Sequence, residues 1–241
     1  MITLFERLPA LREPIIGCRL ETLYKSYSEI KGMCSFFRSD SGGILCLFGS
    51  TLYLSGSCGG EDLKSLANFC RASQIISLEG DAHMLDGWTP SSHSIMLYEG
   101  GKDSTSPEID LAPSLNEVYK TICEIDSEFK EKNDYIIWLS DITHRINMDA
   151  AVAAACCESS VALISHIGCG HAHISHVVTL PGHRGKGYAK GLVKSLASLM
   201  YSRGLRAFVE TQDDSLNSFY AQIGFTQNGR LTILTPSEEH S

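Results

Sequence analysis

From Val177 to Leu192 the chain reads VVTLPGHRGKGYAKGL: an apolar run ending at a proline, a turn that alternates glycine with cation, and the start of a helix. No other segment restricts the fold as much. Glycines at 185 and 187 admit left-handed backbone, so successive N–H groups can converge on one point where the helix macrodipole adds partial positive charge. Arg184, Lys186 and Lys190 bring full charges to the same turn. Such a nest takes an anion, and a pyrophosphate suits it better than a neutral ligand.

The surrounding periodicity supplies the rest of an α/β protein with a mixed sheet. Ala151–Cys157, Val161–Ile167 and His173–Thr179 are short apolar runs bounded by Ser or Gly and read as strands. Leu192, Val193, Leu196, Leu199 and Met200 then fall on one helical stripe ending at Gly204. Ala207–Glu210 reads as a strand, Asp213–Gln222 as a short helix closed by Gly224, and Leu231–Leu234 as a last strand. Upstream, Glu99–Pro113 mixes Gly, Ser, Pro and charge without apolar period and reads as a linker. Ser114 and Glu117 are spaced as a capping box ahead of Leu115, Val118, Tyr119, Ile122 and Phe129, which share one helical face. Two domains are expected, 1–112 and 113–241.

The first half shows a similar order. Leu45–Phe48 and Thr51–Ser55 read as a hairpin, followed by the loop SGSCGGED, a helix with Leu63, Leu66, Ala67 and Cys70 on one face, and a strand Gln74–Leu78. Strand, Gly-rich loop, helix and strand thus occur twice, which suggests a tandem whose first copy is degenerate. Two independent uses of a common supersecondary pattern explain the order equally well.

Other nucleotide-binding loops fit the 177–192 run poorly. A Walker loop needs Lys and Ser/Thr where Tyr188 and Ala189 follow Gly187, and a dinucleotide fingerprint needs glycine where Lys190 stands. Arg184, Gly187 and Ala189 instead resemble the acetyl-CoA signature of the GCN5-related N-acetyltransferases, Arg or Gln, two residues, Gly, one residue, Gly or Ala. The block DDSLNSFYAQIGF resembles the family's second pattern, with Tyr220, Gly224 and Phe225 in register and Asp213 in place of the usual Asn.

That resemblance covers residues 113–241 and implies a specific chemistry. Acetyl-CoA would be the cosubstrate, its pantetheine arm pairing with the edge at Val177, Val178 and Thr179 and its pyrophosphate resting on Arg184, Gly185, Lys186, Gly187, Tyr188, Ala189 and Lys190. A backbone N–H near Val177 would stabilise the oxyanion. The acceptor would be a primary amine, by default of a small molecule, attacking directly in a ternary complex. Freeing the lone pair of an amine with a Lys-like pKa costs roughly 4 to 5 kcal/mol at neutral pH. His173, eleven residues before Arg184, is the expected base; Glu210 is the alternative, and water chains a third. Tyr220 is the expected acid for the departing thiolate, unless it is simply a core residue beside Phe219.

Other readings stay open. Cys169, His171 and His173 are also consistent with a polar strand face, and with Cys156 and Cys157 they have zinc-ligand types but not zinc-ligand spacing, so no metal is expected. Trp138 and Arg145 lie where relatives shape an acceptor pocket, and equally suit a packed indole and an exposed charge. A net charge of −8 argues against nucleic acid. No stretch is apolar enough to span a bilayer, and Glu6, Arg7, Arg12 and Glu13 interrupt any signal segment, so a cytoplasmic protein with reduced thiols is expected. A homodimer through an exposed sheet edge is compatible with the sequence. The competing function is an acyl-CoA sensor or partner-binding module that does not turn over.

Overall fold

Each half of the chain lays down a helix, three antiparallel strands, a second helix, and a strand parallel to the third. In the first half these are α1 (Pro14–Tyr27), β2 (Cys34–Ser39), β3 (Ile44–Phe48), β4 (Thr51–Ser55), α2 (Gly60–Cys70) and β5 (Gln74–Leu78), preceded by a short β1 (Ile2–Leu4). In the second they are α5 (Tyr135–Asn147), β7 (Val152–Cys156), β8 (Ser160–Gly168), β9 (His171–Thr179), α6 (Tyr188–Ser202) and β10 (Arg206–Thr211). These elements come from a computed structural model that describes residues 2–5, 7–11, 13–78, 85–100 and 108–237. Glu6, Arg12 and the centre of the expected linker, 101–107, lie outside the described residues.

The halves then exchange their last strands. β6 (Trp88–Tyr98) ends the first half yet pairs antiparallel with β10, while β11 (Phe225–Pro236) ends the second yet pairs antiparallel with β5. β6 and β11 also pair with each other along most of their length. One sheet of 11 strands results, in the order β1-β2-β3-β4-β5-β11-β6-β10-β9-β8-β7. The exchange spares each half an open edge beside its parallel pair.

Helix α1 joins the two arms. Glu13 caps it by accepting from the Ile15 and Ile16 amides, and Pro14 occupies its first turn, where a missing N–H is harmless. It packs on β4 and β5 of its own half and on β8 and β9 of the other, which is why most of it, from Ile16 and Cys18 to Leu20 and Leu23, is buried and only a narrow stripe with Glu21 and Lys25 is exposed. α6 covers the opposite face of the second half through Leu192, Val193, Leu196 and Met200, and α2 covers the first half through Leu63, Leu66 and Ala67.

Most expected elements occur, with three differences. The apolar face beginning at Leu115 breaks at Asp126, which is extended and caps a new short helix, so α3 (Leu115–Ile125) and α4 (Ser127–Lys132) are separate and Phe129 lies on the second. Ser114 sits at the N-cap of α3 without a side-chain bond to it, and Glu117 turns to Lys120 instead, so the capping box does not form. The last strand is longer than Leu231–Leu234 because its pairing continues along β6 across a bulge between Gln227 and Arg230. Gly204 and Gly224 close α6 and α7 (Asp214–Ala221) with φ of +75° and +104°.

Strand exchange makes each half dependent on the other. A fragment carrying residues 113–241 lacks β6, the strand between β10 and β11, and is expected to show no cooperative thermal transition until a 1–112 fragment is added. Leu231→Ala, in the second half but fully buried under α1, should cost the whole chain about 2–5 kcal/mol in denaturant titrations. A cooperative melt of the 113–241 fragment alone would contradict this dependence.

Candidate functional site

Two parallel strands part at the middle of the second half. β9 and β10 are paired only from His171 with Arg206 to His173 with Phe208. Beyond that point β10 continues against β6 to Thr211, and β9 continues against β8 to Thr179. Two bulges turn β9 away: Ser165 is the extra residue on β8, and His176, at φ +49°, the extra residue on β9. The edge of β9 from Ser175 to Thr179 therefore borders a gap rather than a neighbouring strand.

The glycine turn lies at the end of that edge. Pro181–His183 forms one 3-10 turn, the Arg184 Nε donates to the Thr179 carbonyl at 3.1 Å, and Gly185 and Gly187 adopt φ of +77° and +84°. Gly187 is the N-cap of α6 and offers no side chain to the first amides. Helices α1, α4, α5 and α7 are each capped by a carboxylate. α6 instead leaves its first-turn N–H groups among Arg184, Lys186 and Lys190, all exposed. A Cβ built on Gly185 or Gly187 meets no atom within 4 Å, so the concavity in front of these amides is open. The residues present suit a diphosphate.

The corresponding place in the first half is closed. β4 and β5 stay paired from Thr51 with Gln74 to Leu54 with Ser77, and the first turn of α2 carries Glu61 and Asp62. Without a gap, and with carboxylates where cations stand in α6, this copy does not match an anion.

On the α1 face of the parting strands lies a buried polar cluster. His173 is 8 % exposed, stacks on Phe208 at 4.8 Å, places Nε2 3.8 Å from Glu210 Oε1, and has Nδ1 3.1 Å from the Ser165 hydroxyl. Its burial, and that of His171, removes the reading of a solvent-facing polar strand. Burial holds the His173 imidazolium down to about 4, with Glu210 opposing that fall and Arg19 adding to it. Glu210 feels burial in the raising sense, but the Arg19 guanidinium and the facing histidines hold its carboxyl below the usual range. Arg19 comes from α1, in the other half, and forms an ion pair with Glu210. Ser165 and Arg19 carried no signal in the sequence, since neither lies in a motif.

Tyr220 lies on the other face of the gap. It is buried in the α6 core beside Phe219 and Phe225, in the cluster that Val177 and Tyr188 border, and burial raises its phenol to about 12. Asp213 caps α7 by accepting from the Ser215 amide, which is the role found for the residue standing where the family pattern has Asn. Trp138 is packed against Tyr119 and Phe129, and Arg145 is no exposed charge: it pairs with Asp141 and donates to the Ser165 carbonyl. Both line a cavity of about 1020 Å³ on the α1 and α5 side whose lining includes Ser165 and His176. Cys156 and Cys157 have Sγ atoms 3.5 Å apart at the β7–β8 turn, away from His173, and among the described residues no group of three or more metal-ligand side chains converges.

The cluster has a pH signature. Unfolded His173 takes its proton near 6.5 and the folded one only at about 4, so between those values the unfolded chain binds more protons. Stability is complete above 6.5 and falls as pH drops through the window, by roughly 3 kcal/mol at the most for this residue. Glu210, lowered on folding, adds loss at more acidic pH. His173→Asn should therefore flatten the fall in melting temperature between pH 6.5 and 4; an unchanged slope would show that His173 is not buried neutral.

The Acetyltransferase (GNAT) family matches residues 112–225. Among solved structures, the fold is similar to a GCN5-related N-acetyltransferase from Kribbella flavida, with TM-score 0.58, 11% identity, and coverage of 92% of this chain and 95% of that one. An acetyltransferase from the GNAT family from Colwellia psychrerythraea aligns over 98% of this chain and 100% of its own at TM-score 0.55 and 11% identity. A tandem GNAT protein from the clavulanic acid biosynthesis pathway aligns over 89% of this chain and 86% of its own at TM-score 0.51 and 14% identity. These likenesses concern the fold, and no curated protein sequence matches. Among the described residues no helix is long and apolar enough to cross a membrane. The parted strands and the glycine turn coincide, in the second half of the chain, with the match of residues 112–225 to the Acetyltransferase (GNAT) family.

Proposed function

We propose that the protein is a cytoplasmic N-acyltransferase that binds acetyl-CoA in the gap between β9 and β10 and acetylates a primary amine of a small molecule in a ternary complex. The observation carrying this reading is the parting of two parallel strands directly before an uncapped, cation-flanked helix start. Val177, Val178 and Thr179 would offer main-chain groups to the pantetheine amides. The amides of Gly185 to Lys190, with Arg184, Lys186 and Lys190, would hold the diphosphate. The donor supplies a thioester carbon, at which a C–N bond replaces the C–S bond.

The cluster limits how protons move. Taking a proton from a Lys-like ammonium onto an imidazole that titrates at about 4 is uphill by roughly 9 kcal/mol. His173 and Glu210 therefore cannot hold the free ammonium's proton, and the amine deprotonates to water before attack. They act later, on the far more acidic N–H formed as nitrogen bonds to carbon. Ser165 lines the cavity and touches His173 Nδ1, so its hydroxyl is the route by which that proton reaches the imidazole, with Glu210 facing the other nitrogen. Tyr220, at about 12, keeps its proton: full transfer to a thiolate of Cys-like pKa is uphill by roughly 5 kcal/mol. Its role is to donate a hydrogen bond to the leaving sulfur.

The chain on this reading has a donor-binding copy, 113–241, and a degenerate copy, 1–112, that supplies β6, α1 and Arg19. The depressed His173 and the Arg19-bound Glu210 favour a second reading, an acyl-CoA sensor without turnover. Thiol release from acetyl-CoA over an amine panel separates the two, since amine-stimulated release supports the enzyme and tight coenzyme binding without release supports the sensor. Within the enzyme reading, Tyr220→Phe and Ser165→Ala should each lower kcat about 10-fold or more while coenzyme A affinity is retained. Gly187→Val should abolish that affinity by filling the anion cradle and straining a φ of +84°. Wild-type turnover in Tyr220→Phe would remove Tyr220 from the mechanism.

A further inference from the structure

The cavity beside the polar cluster is built by both halves. One wall is α4 and α5, with Phe129, Ile136, Ile137 and Trp138; the other comes from the first half, with Tyr27, Ile30, Met33 and Phe48. Its volume of about 1020 Å³ is at the upper end of small-molecule pockets. Nine large apolar side chains of the described residues are exposed, and four of them, Ile30, Met33, Ile136 and Ile137, line this one opening. A single exposed apolar residue means nothing, but four around one mouth form a patch of the kind that receives a ligand. Ile136 and Ile137, 66% and 72% exposed, are not there to hold α5 together, since Asp134 caps their amides.

Charge in the cavity is arranged for a cation. Arg145 is already held by Asp141 and the Ser165 carbonyl, and Tyr27 donates to the same Asp141. Lys132 turns to Glu128. Both cations of the lining are thus satisfied, while Glu131 and Asp134 leave the mouth acidic. An acceptor carboxylate would meet no cation there outside an existing ion pair, and a second ammonium would have to be desolvated against Ile, Met and aromatic walls.

We infer that the acceptor, on the acyltransferase reading above, is a monoamine carried on an aliphatic or aromatic body, selected by a pocket for which the degenerate first copy provides one wall. Each further methylene buried along these walls should tighten binding roughly fourfold until the cavity is filled.

A homologous series tests this without the donor. Binding of n-butylamine, n-hexylamine and n-octylamine to the full-length protein, followed through the emission of cavity-lining Trp138, should strengthen roughly fourfold per methylene, with putrescine and glycine binding far more weakly. With acetyl-CoA present, kcat/KM should follow the same order through KM. Ile136→Asp combined with Ile137→Asp, at exposed positions in the first turn of α5, should flatten the series while coenzyme A affinity by calorimetry stays unchanged. A flat series in the wild type, or putrescine or glycine binding as tightly as n-hexylamine, would overturn the inference. Because the amine titrations omit the donor, failure of coenzyme A itself to bind would instead strike the acyltransferase reading.

Discussion

The site depends on where one parallel strand pair stops. After His173 and Phe208 the hydrogen-bond ladder between β9 and β10 ends, because β10 is held by β6 and β9 is bent onto β8 by bulges at Ser165 and His176. The backbone groups freed along β9 need partners, and the gap beside them is where an extended, amide-bearing arm can supply them. The glycine turn is the continuation of the same strand, so on the proposed reading a single stretch of chain, Val177 to Lys190, would fix both ends of one long ligand.

The strand holding β10 in place belongs to the other half. β6 crosses from the first copy, β11 crosses back, and α1 fills the space between the arms while sending Arg19 to Glu210. The first copy keeps its own β4 and β5 zipped together and puts Glu61 and Asp62 at its helix start. Having no matching donor gap, it contributes a strand, a buried guanidinium and one wall of the neighbouring cavity. On the proposed reading, two halves of similar topology would divide the work unequally.

Much of this was legible in the residues. The strands flanking the glycine turn, the turn itself and α6 follow from periodicity and from the spacing of Arg184, Gly187 and Ala189, because each leaves a local pattern, whereas the parallel pairing of β9 with β10 came from the structure. α1 left little: buried over most of its circumference, it keeps only a narrow exposed stripe with Glu21 and Lys25, so its apolar positions show no clean helical period. β6 was hidden for a different reason, since Pro90 and two serines interrupt its exposed end and its buried end has no alternation. Ser165, Arg19 and the wall formed by Ile30 and Met33 depend on long-range register and on contact between halves, which no local pattern encodes. His173 and Glu210 were visible as titratable residues at a strand's end, but not their mutual approach or the guanidinium that restrains them.

Calorimetric titration of the full-length protein with coenzyme A and with pantetheine, side by side at neutral pH, asks most directly whether the turn at Gly185 to Lys190 grips a diphosphate while the β9 edge holds the arm. Coenzyme A should bind and pantetheine, which lacks the diphosphate, should bind at least 100-fold more weakly, a difference of about 2.7 kcal/mol. No heat with coenzyme A, or equal affinity for both, would contradict the account.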